Sequence, residues 1–373
     1  MATAESLIRG LLSEAGITIN GNKPYDIKIN NPNMPKRVIS GGTLALGESY
    51  MDGWWDCKAL DQFFDRVFRA RLDAKIKGDK YLILRLLAAK IVNLQNPIRA
   101  WKIASHYNTG NFLYEKMLGK TMVYSCAYWK RAKTLDQAQE AKLDLICKKL
   151  HLKPGMKVLD IGCGWGSLAR HAAKKYKVKV VGATVSEEQA KLARELCKGL
   201  PVEIVVQDYR DIKGTFDRVM SVGMAEHVGS KNIRTYMKKV ASLLKDDGLF
   251  LYHSIVARSP SATVDPWINK YIFPNGQLLT MGQILTATDG VLRSEDWHNF
   301  GTDYEKTLMA WHKNFSKHWE EIKKSGNYDE RFFRMWSYYL FSCAGIFRSR
   351  QYHQVYQGVL TKYGFTGSYE AVR

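Results

Sequence analysis

From Pro154 onward, apolar runs of strand length alternate with segments of helical length, and this alternation limits the possible folds more than any other feature of the chain. Strands are predicted at Lys157–Ile161, Lys179–Thr184, Glu203–Gln207, Asp217–Val222 and Leu249–Ile255, with helices at Ser167–Lys175, Glu187–Lys198 and Lys231–Lys245. Strands separated by helices cross over in parallel, so the expected class is α/β: a Rossmann-like, mostly parallel sheet with helices on both faces. After residue 256 the sheet pattern stops for about 35 residues that hold Pro260, Pro266, Pro274, Trp267, Tyr271 and Phe273, and this insertion reads as a lid.

The first strand runs straight into VLDIGCGWG, residues 158–166. Gly162, Gly164 and Gly166 permit a tight turn and a close backbone approach, which sets a helix N-terminus against a ligand. With Asp160 inside the strand, the arrangement predicts a nucleotide-type cofactor site. A dinucleotide site would want an acid at the tip of the next strand, to hold a ribose diol. That tip is instead neutral: Gly182, Ala183, Thr184, Val185, Ser186, then Gln189. A second carboxylate follows the third strand, at Gln207-Asp208-Tyr209. The pattern resembles that of S-adenosylmethionine (SAM) methyltransferases, and Asp208 is expected at adenine or ribose, its alternative being an exposed turn acid.

At 373 residues the chain is long enough for two domains. Up to about residue 65 it alternates short apolar runs with turn signals, as a small α+β accessory domain would. The expected division is 1–95 for that domain, lipid-facing or regulatory, and 105–373 for the catalytic one. The formal charge of +20 favours an acidic partner. Between Arg66 and Lys102 ten Lys and Arg face only Asp73 and Asp79. Lys80, Arg85 and Lys90 share no helical face, so the stretch is a solvated linker helix or a surface for anionic lipid or nucleic acid. No segment approaches the ~20 apolar residues of a membrane-spanning helix, and the N-terminus lacks the uncharged core of a secretory signal. Six scattered cysteines without CxxC spacing indicate neither a metal site nor a disulfide framework, hence a reduced, cytoplasmic setting.

Further stretches narrow the resemblance. They are His106-Tyr107 with Gly110-Asn111, YSCAYW at 124–129, MAEHVG at 224–229, LYHSI at 251–255, VDPWINKYIFP at 264–274, DWHNFGTDY at 296–304 and GESYMDGWWD at 47–56. Together they resemble the cyclopropane-fatty-acyl-phospholipid synthases over nearly the whole chain. The resemblance implies a class I SAM methyltransferase sheet and transfer of a methylene group from SAM to the cis double bond of an unsaturated phospholipid acyl chain. It places SAM against Tyr124, Ser125, Gly162, Gly164, Thr184, Ser186, Gln189, Gln207 and Asp208. It also implies a bound bicarbonate ion as base, held by Cys126, Glu226, His253, Tyr304 and the backbone N–H of Ile255. Asn108, Phe112 and Ala225 depart from the family pattern and bear on substrate fit.

The chemistry sets its own demands. Methylating an alkene moves positive charge from sulfur to carbon, so the site needs electron-rich walls, little water and a base, but no metal. Tyr124, Tyr128, Trp129, Tyr271, Phe273 and Tyr304 offer π faces, although a single aromatic more often packs a core. Taken alone, Glu226 would be an exposed helix-start acid and His253 a satisfied core histidine. Both fall near the carboxyl edge of the predicted sheet, where α/β sheets bind ligands. Cys126 is expected to be a pocket wall, since no covalent step is needed. The expected partner is an anionic phospholipid bilayer, met peripherally at the inner face of the cell membrane; a homodimer is left open and nucleic acid is not expected. Two rival readings are a related methyltransferase giving methyl-branched lipid or acting on a small amine, and a basic nucleic-acid-binding protein. The fourth strand ends in Ser221-Val-Gly-Met224, without the motif of base-amine methyltransferases, and no RNA-binding module is visible.

Overall fold

In the computed structural model, which describes residues 3–72, 111–261, 263–326 and 328–373, the glycine-turn segment lies in a sheet of eight strands. Two short strands come first, β1 (Ile27–Ile29) and β2 (Trp55–Cys57), paired antiparallel as a separate ribbon. The large sheet contains β3 (Lys157–Ile161), β4 (Lys179–Thr184), β5 (Val202–Val206), β6 (Phe216–Val222), β7 (Leu244–Ala257), β8 (Leu279–Thr280), β9 (Leu292–Asn299) and β10 (His353–Lys362). Its order is β5-β4-β3-β6-β7-β10-β9, with β8 paired to β7. Strands β3 to β7 are parallel, and β9 and β10 are antiparallel to each other.

Both faces of this sheet are covered, as a parallel sheet requires. Leu159, Ile161, Val219, Phe250 and Tyr252 join Tyr236, Met237 and Val240 of the helix Ile233–Leu243 in one core. Val158, Val180, Met220, Leu249 and Leu251 join Ile146 and Ala169 in the other. Neighbouring residues of one strand thus enter opposite cores, the period of two of a pleated strand. The predicted bounds of β3 and β4 match the observed ones, and β7 runs further at both ends than predicted.

The chain divides into two units that exchange segments. One contains the described residues of 3–72, 263–274 and 304–353; the other contains 111–261, 275–303 and 354–373. The expected division was a single cut between 95 and 105, which itself lies outside the described residues, as do Asp73 to Lys102 of the basic stretch. Contacts within the first unit explain the exchange. Gly345, on the helix Glu330–Ser349, lets that helix approach the helix Leu60–Arg69 so closely that a Cβ there would lie 2.5 Å from Phe64 Cβ. Trp267 is fully buried against Tyr338, ring centroids 4.5 Å apart, and its indole N–H donates to Met51 Sδ. Glu48 accepts from Lys270 Nζ at 2.6 Å and from the Tyr271 hydroxyl at 2.9 Å. Residues 263–274, part of the stretch of about 35 residues after 256 expected as a lid, are therefore held by the GESYMDGWWD segment.

Candidate active site

The turns after β3, β4, β5 and β6 surround one cavity at the carboxyl edge of the sheet. Gly162 and Cys163 both donate their backbone N–H to Ala183 O, at 2.9 and 3.0 Å, which pins the glycine turn to β4. Gly164 has φ +53°, and a Cβ there would meet no protein atom within 4 Å. Ser186 caps the helix Glu187–Leu196 by accepting from Gln189 N–H, and Thr184 Oγ1 donates to Gln189 Oε1 at 3.1 Å. That helix therefore presents its N-terminus at the cavity. Asp208 is held by two donors of Arg210, the backbone N–H and Nη1, both at 2.9 Å.

Of the eleven residues expected at the cofactor, ten line this cavity: Tyr124, Ser125, Asp160, Gly162, Gly164, Thr184, Ser186, Gln189, Gln207 and Asp208. Gly166 does not. Its φ is +77°, and a Cβ there would sit 3.1 Å from Cys197 Sγ and 3.2 Å from Ala193 Cβ, so this glycine serves helix packing instead of the ligand.

Sequence reasoning missed Lys142 and His227, which also line the cavity. Lys142 is 1 % exposed, and its ammonium donates to Ser125 Oγ at 3.0 Å. Burial pulls its pKa down to about 8, opposed by the neighbouring Cys126 and Asp160. Burial likewise raises Asp160 to about 7, opposed by Lys142, and among the described residues Asp160 Oδ2 has no hydrogen-bond partner. The available signal was periodicity: Lys142 continues the stripe of Leu135, Ala138 and Ile146, which is buried along the helix Leu135–Lys149. His227 is held neutral by burial, its pKa lowered to about 4.

Next to this cavity the sheet edge carries Glu226 after β6 and His253 and Ile255 on β7, and it brings Glu226 and Ile255 into contact. Glu226 lies in the first turn of the short helix Ala225–Val228 after β6; its Oε1 accepts from the Ile255 backbone N–H at 2.8 Å, and its Oε2 is buried without a hydrogen-bond partner among the described residues. Burial raises the Glu226 pKa, with the Ile255 N–H pulling the other way. His253 pairs in register with Val222, the last residue of β6. Its Nδ1 lies 3.2 Å from Gln357 Nε2 on β10, and burial holds the imidazole well below its ordinary pKa, so it is neutral. The Ile255 N–H was expected to serve an anion and is instead used to fix Glu226. His253 is buried and Glu226 is half-buried with its Oε2 enclosed, unlike an exposed helix-start acid.

Cys126 is fully buried, with its thiol directed to Ala127 O. Tyr304 belongs to the other unit, where its ring lies 4.7 Å from Phe347 and edge-on to Trp311. Of the six candidate aromatic walls, only Tyr124 lines the cavity, edge-on to Tyr114. Tyr128 packs on His298 and Phe300, Trp129 donates its backbone N–H to Asp303, and Phe273 packs on Tyr339. Asn108 lies outside the described residues; Phe112 is 36 % exposed and Ala225 is buried.

The cavity suits an adenosyl sulfonium with an amino-acid end: backbone from the glycine turn, a fixed carboxylate at Asp208, and an orphaned buried carboxylate oxygen at Asp160. Comparison with known proteins agrees. Residues 95–358 match the family described as mycolic acid cyclopropane synthetase. The cyclopropane-fatty-acyl-phospholipid synthase of Escherichia coli (strain K12) is 53% identical over 353 residues, covering 94% of this chain and 92% of that protein. Cyclopropane mycolic acid synthase 2 of Mycobacterium bovis is 34% identical over 298 residues, 72% of this chain and 96% of its own. A crystal structure of a mycolic acid cyclopropane synthase complexed with SAH and CTAB superposes with a TM-score of 0.65 at 29% identity, covering 70% of this chain and 97% of that one. Coclaurine N-methyltransferase superposes with a TM-score of 0.71 over 85% of this chain and 99% of its own, and at 21% identity it shows a shared fold alone.

Proposed function

This chain belongs to the mycolic acid cyclopropane synthetase family, and from that premise we propose that it adds a methylene group from SAM across the cis double bond of unsaturated phospholipid acyl chains, using bicarbonate as base. Its sheet is that of the class I SAM methyltransferases, and the chain is a SAM-dependent methyltransferase making cyclopropane fatty acyl lipid. The observation that carries the finer reading is Glu226 Oε2, a buried carboxylate oxygen without a hydrogen-bond partner among the described residues, on the turn after β6, the strand whose last residue pairs with the neutral His253 of β7.

Bound SAM supplies an electrophilic methyl group. The chain holds it through the glycine turn, the capped helix at Ser186 and the Asp208 carboxylate, and burial of the surrounding side chains keeps water away. Closing a ring on a hydrocarbon then requires a base that the substrate lacks. Glu226 Oε2 is suited to accept a hydroxyl hydrogen, and a neutral His253 with its proton on Nε2 is suited to donate to an anionic oxygen. Bicarbonate offers both groups, and held there it supplies the base. Cys126 closes the pocket as a wall.

The enzyme acts peripherally on an anionic bilayer surface on the cytoplasmic side. The net charge of +20 favours such a surface, and among the described residues no helix is long and apolar enough to cross a membrane. Lipid analysis of cells expressing the protein tests the reading. Unsaturated phospholipid chains heavier by one CH₂ unit and lacking the double bond are expected; unchanged chains would overturn it.

A further inference from the structure

Away from the cofactor cavity, a second buried lysine shares its counter-ion with an arginine. Lys149, at the end of the helix Leu135–Lys149, is fully buried, and among the described residues its ammonium has no hydrogen-bond partner. It forms an ion pair with Asp296 of β9 at 3.6 Å, beyond hydrogen-bond reach. Both oxygens of Asp296 are taken by Arg373, whose Nη1 and Nη2 donate to them at 2.6 and 2.5 Å. One carboxylate thus serves two cations and is closer to the arginine. Burial pulls the Lys149 pKa down to about 8, opposed by Asp296 and assisted by Arg373, so the ammonium remains protonated at pH 7.

These residues belong to the unit that carries His253 and lie on the same face of its sheet. Asp296 pairs in register with Val359, and His298 with Gln357, whose amide donates to His253 Nδ1 at 3.2 Å. Val359 joins Ile146 of the Lys149 helix in one core, as do Leu249 and Leu251, four and two residues before His253. Phe300 packs on both imidazoles, its ring centroid 5.6 Å from His253 and 5.3 Å from His298. Burial first, and then cations that include Lys149, hold both histidines neutral.

Bicarbonate seated on the Glu226 carboxylate makes two negative charges, one more than the sulfonium of SAM offsets, and a neutral His253 supplies no positive one. We propose that Lys149 is the cation that draws bicarbonate to this site, and that Arg373, by holding both oxygens of Asp296, keeps the Lys149 charge from being neutralised. This rests on reading bicarbonate as the base. Lys149 acts on the ion at a distance, through the apolar core, and is a positioning residue. Fold stability alone would favour an apolar side chain at its place.

Turnover of the full chain on unsaturated phospholipid vesicles, measured against bicarbonate concentration, tests this. Lys149→Met should raise the bicarbonate concentration for half-maximal rate roughly 5- to 30-fold, with SAM affinity by calorimetry within about twofold of wild type. Arg373→Gln should raise it too, because Asp296 then pairs with Lys149. Asp296→Asn added to Arg373→Gln should restore the wild-type requirement, since the anion that neutralises Lys149 is gone. A merely structural cluster would leave the double variant at least as impaired as the single one, and that result would overturn the role of Arg373. If the Arg373 variants do not fold, Lys149→Met decides alone, an apolar side chain of similar length being suited to the buried position. An unchanged requirement in Lys149→Met, in a chain whose wild-type rate depends on bicarbonate, would overturn the proposal and leave the base assignment standing. A wild-type rate indifferent to bicarbonate would overturn both.

Discussion

The backbone N–H of Ile255 donates to Glu226 Oε1 at 2.8 Å, and this bond helps to fix a carboxylate whose other oxygen is buried with no hydrogen-bond partner among the described residues. It ties the end of β7, the strand that carries His253, to the helix that follows its parallel neighbour β6. Glu226→Gln keeps an oxygen for Ile255 but puts an amide N–H₂, which cannot accept, where Oε2 stood. Turnover should fall by roughly 10- to 150-fold, the worth of one charge-assisted hydrogen bond. SAM affinity by calorimetry should stay at the wild-type value, and added bicarbonate should restore part of the rate.

Gln357 acts on the same site through His253. With its amide N–H donating to Nδ1, the imidazole proton resides on Nε2. Gln357→Leu removes that bias and should cost about tenfold in turnover with little change in SAM affinity. Gln357→Glu places an acceptor opposite Nδ1, which draws the proton there and stabilises the imidazolium. His253, held neutral by burial in the native chain, should then titrate at higher pH. The acidic limb of the pH–rate profile should move upward in that variant and not in Gln357→Leu.

The glycines of the turn have separable roles. Gly166→Ala meets Cys197 and Ala193 at a positive φ, so it should destabilise the chain by about 1–3 kcal/mol in denaturant melts. Gly164→Val has room against the protein but adds its side chain at the cavity wall, and should abolish SAM binding by calorimetry.

Asp144 makes stability pH-dependent. It accepts from Lys148 Nζ at 2.8 Å, Lys175 Nζ at 2.7 Å and the Tyr176 hydroxyl at 2.7 Å. Burial raises its pKa, but these three partners outweigh it and hold the folded carboxyl well below its ordinary value of 3.8. Its contribution is therefore present above pH 4 and lost as pH falls below. Both lysines are half-exposed, so solvent screening limits the gain to about 1 kcal/mol. Asp144→Asn should lower the thermal midpoint at pH 7, and its gap to the wild type should narrow as pH falls below 4 toward the lowered folded value.

The parallel half of the sheet was legible because its strands are uninterrupted apolar runs between helices, and the glycine turn marked the cofactor edge. Strand β10 was not. Gln357 and Thr361 are buried within it, and polar residues at core positions break the pattern that periodicity detects. Lys142 was hidden for the same reason, a lysine in an amphipathic helix being ordinarily read as solvated. The grouping of 304–353 with the N-terminal helices depends on close approach at Gly345 and burial of Trp267, which no local signal announces. Glu226 and His253 were found through motif resemblance, whereas the bond between Glu226 and Ile255 needed coordinates.

The most direct test is mass spectrometry of unsaturated phospholipid vesicles incubated with the purified chain and SAM, with bicarbonate depleted and then restored. The account predicts acyl chains that gain one CH₂ unit and lose the double bond, at a rate that drops on depletion and recovers on restoration. Acyl chains of unchanged mass would contradict the assigned reaction, and a rate indifferent to bicarbonate would contradict the role given to Glu226 and His253.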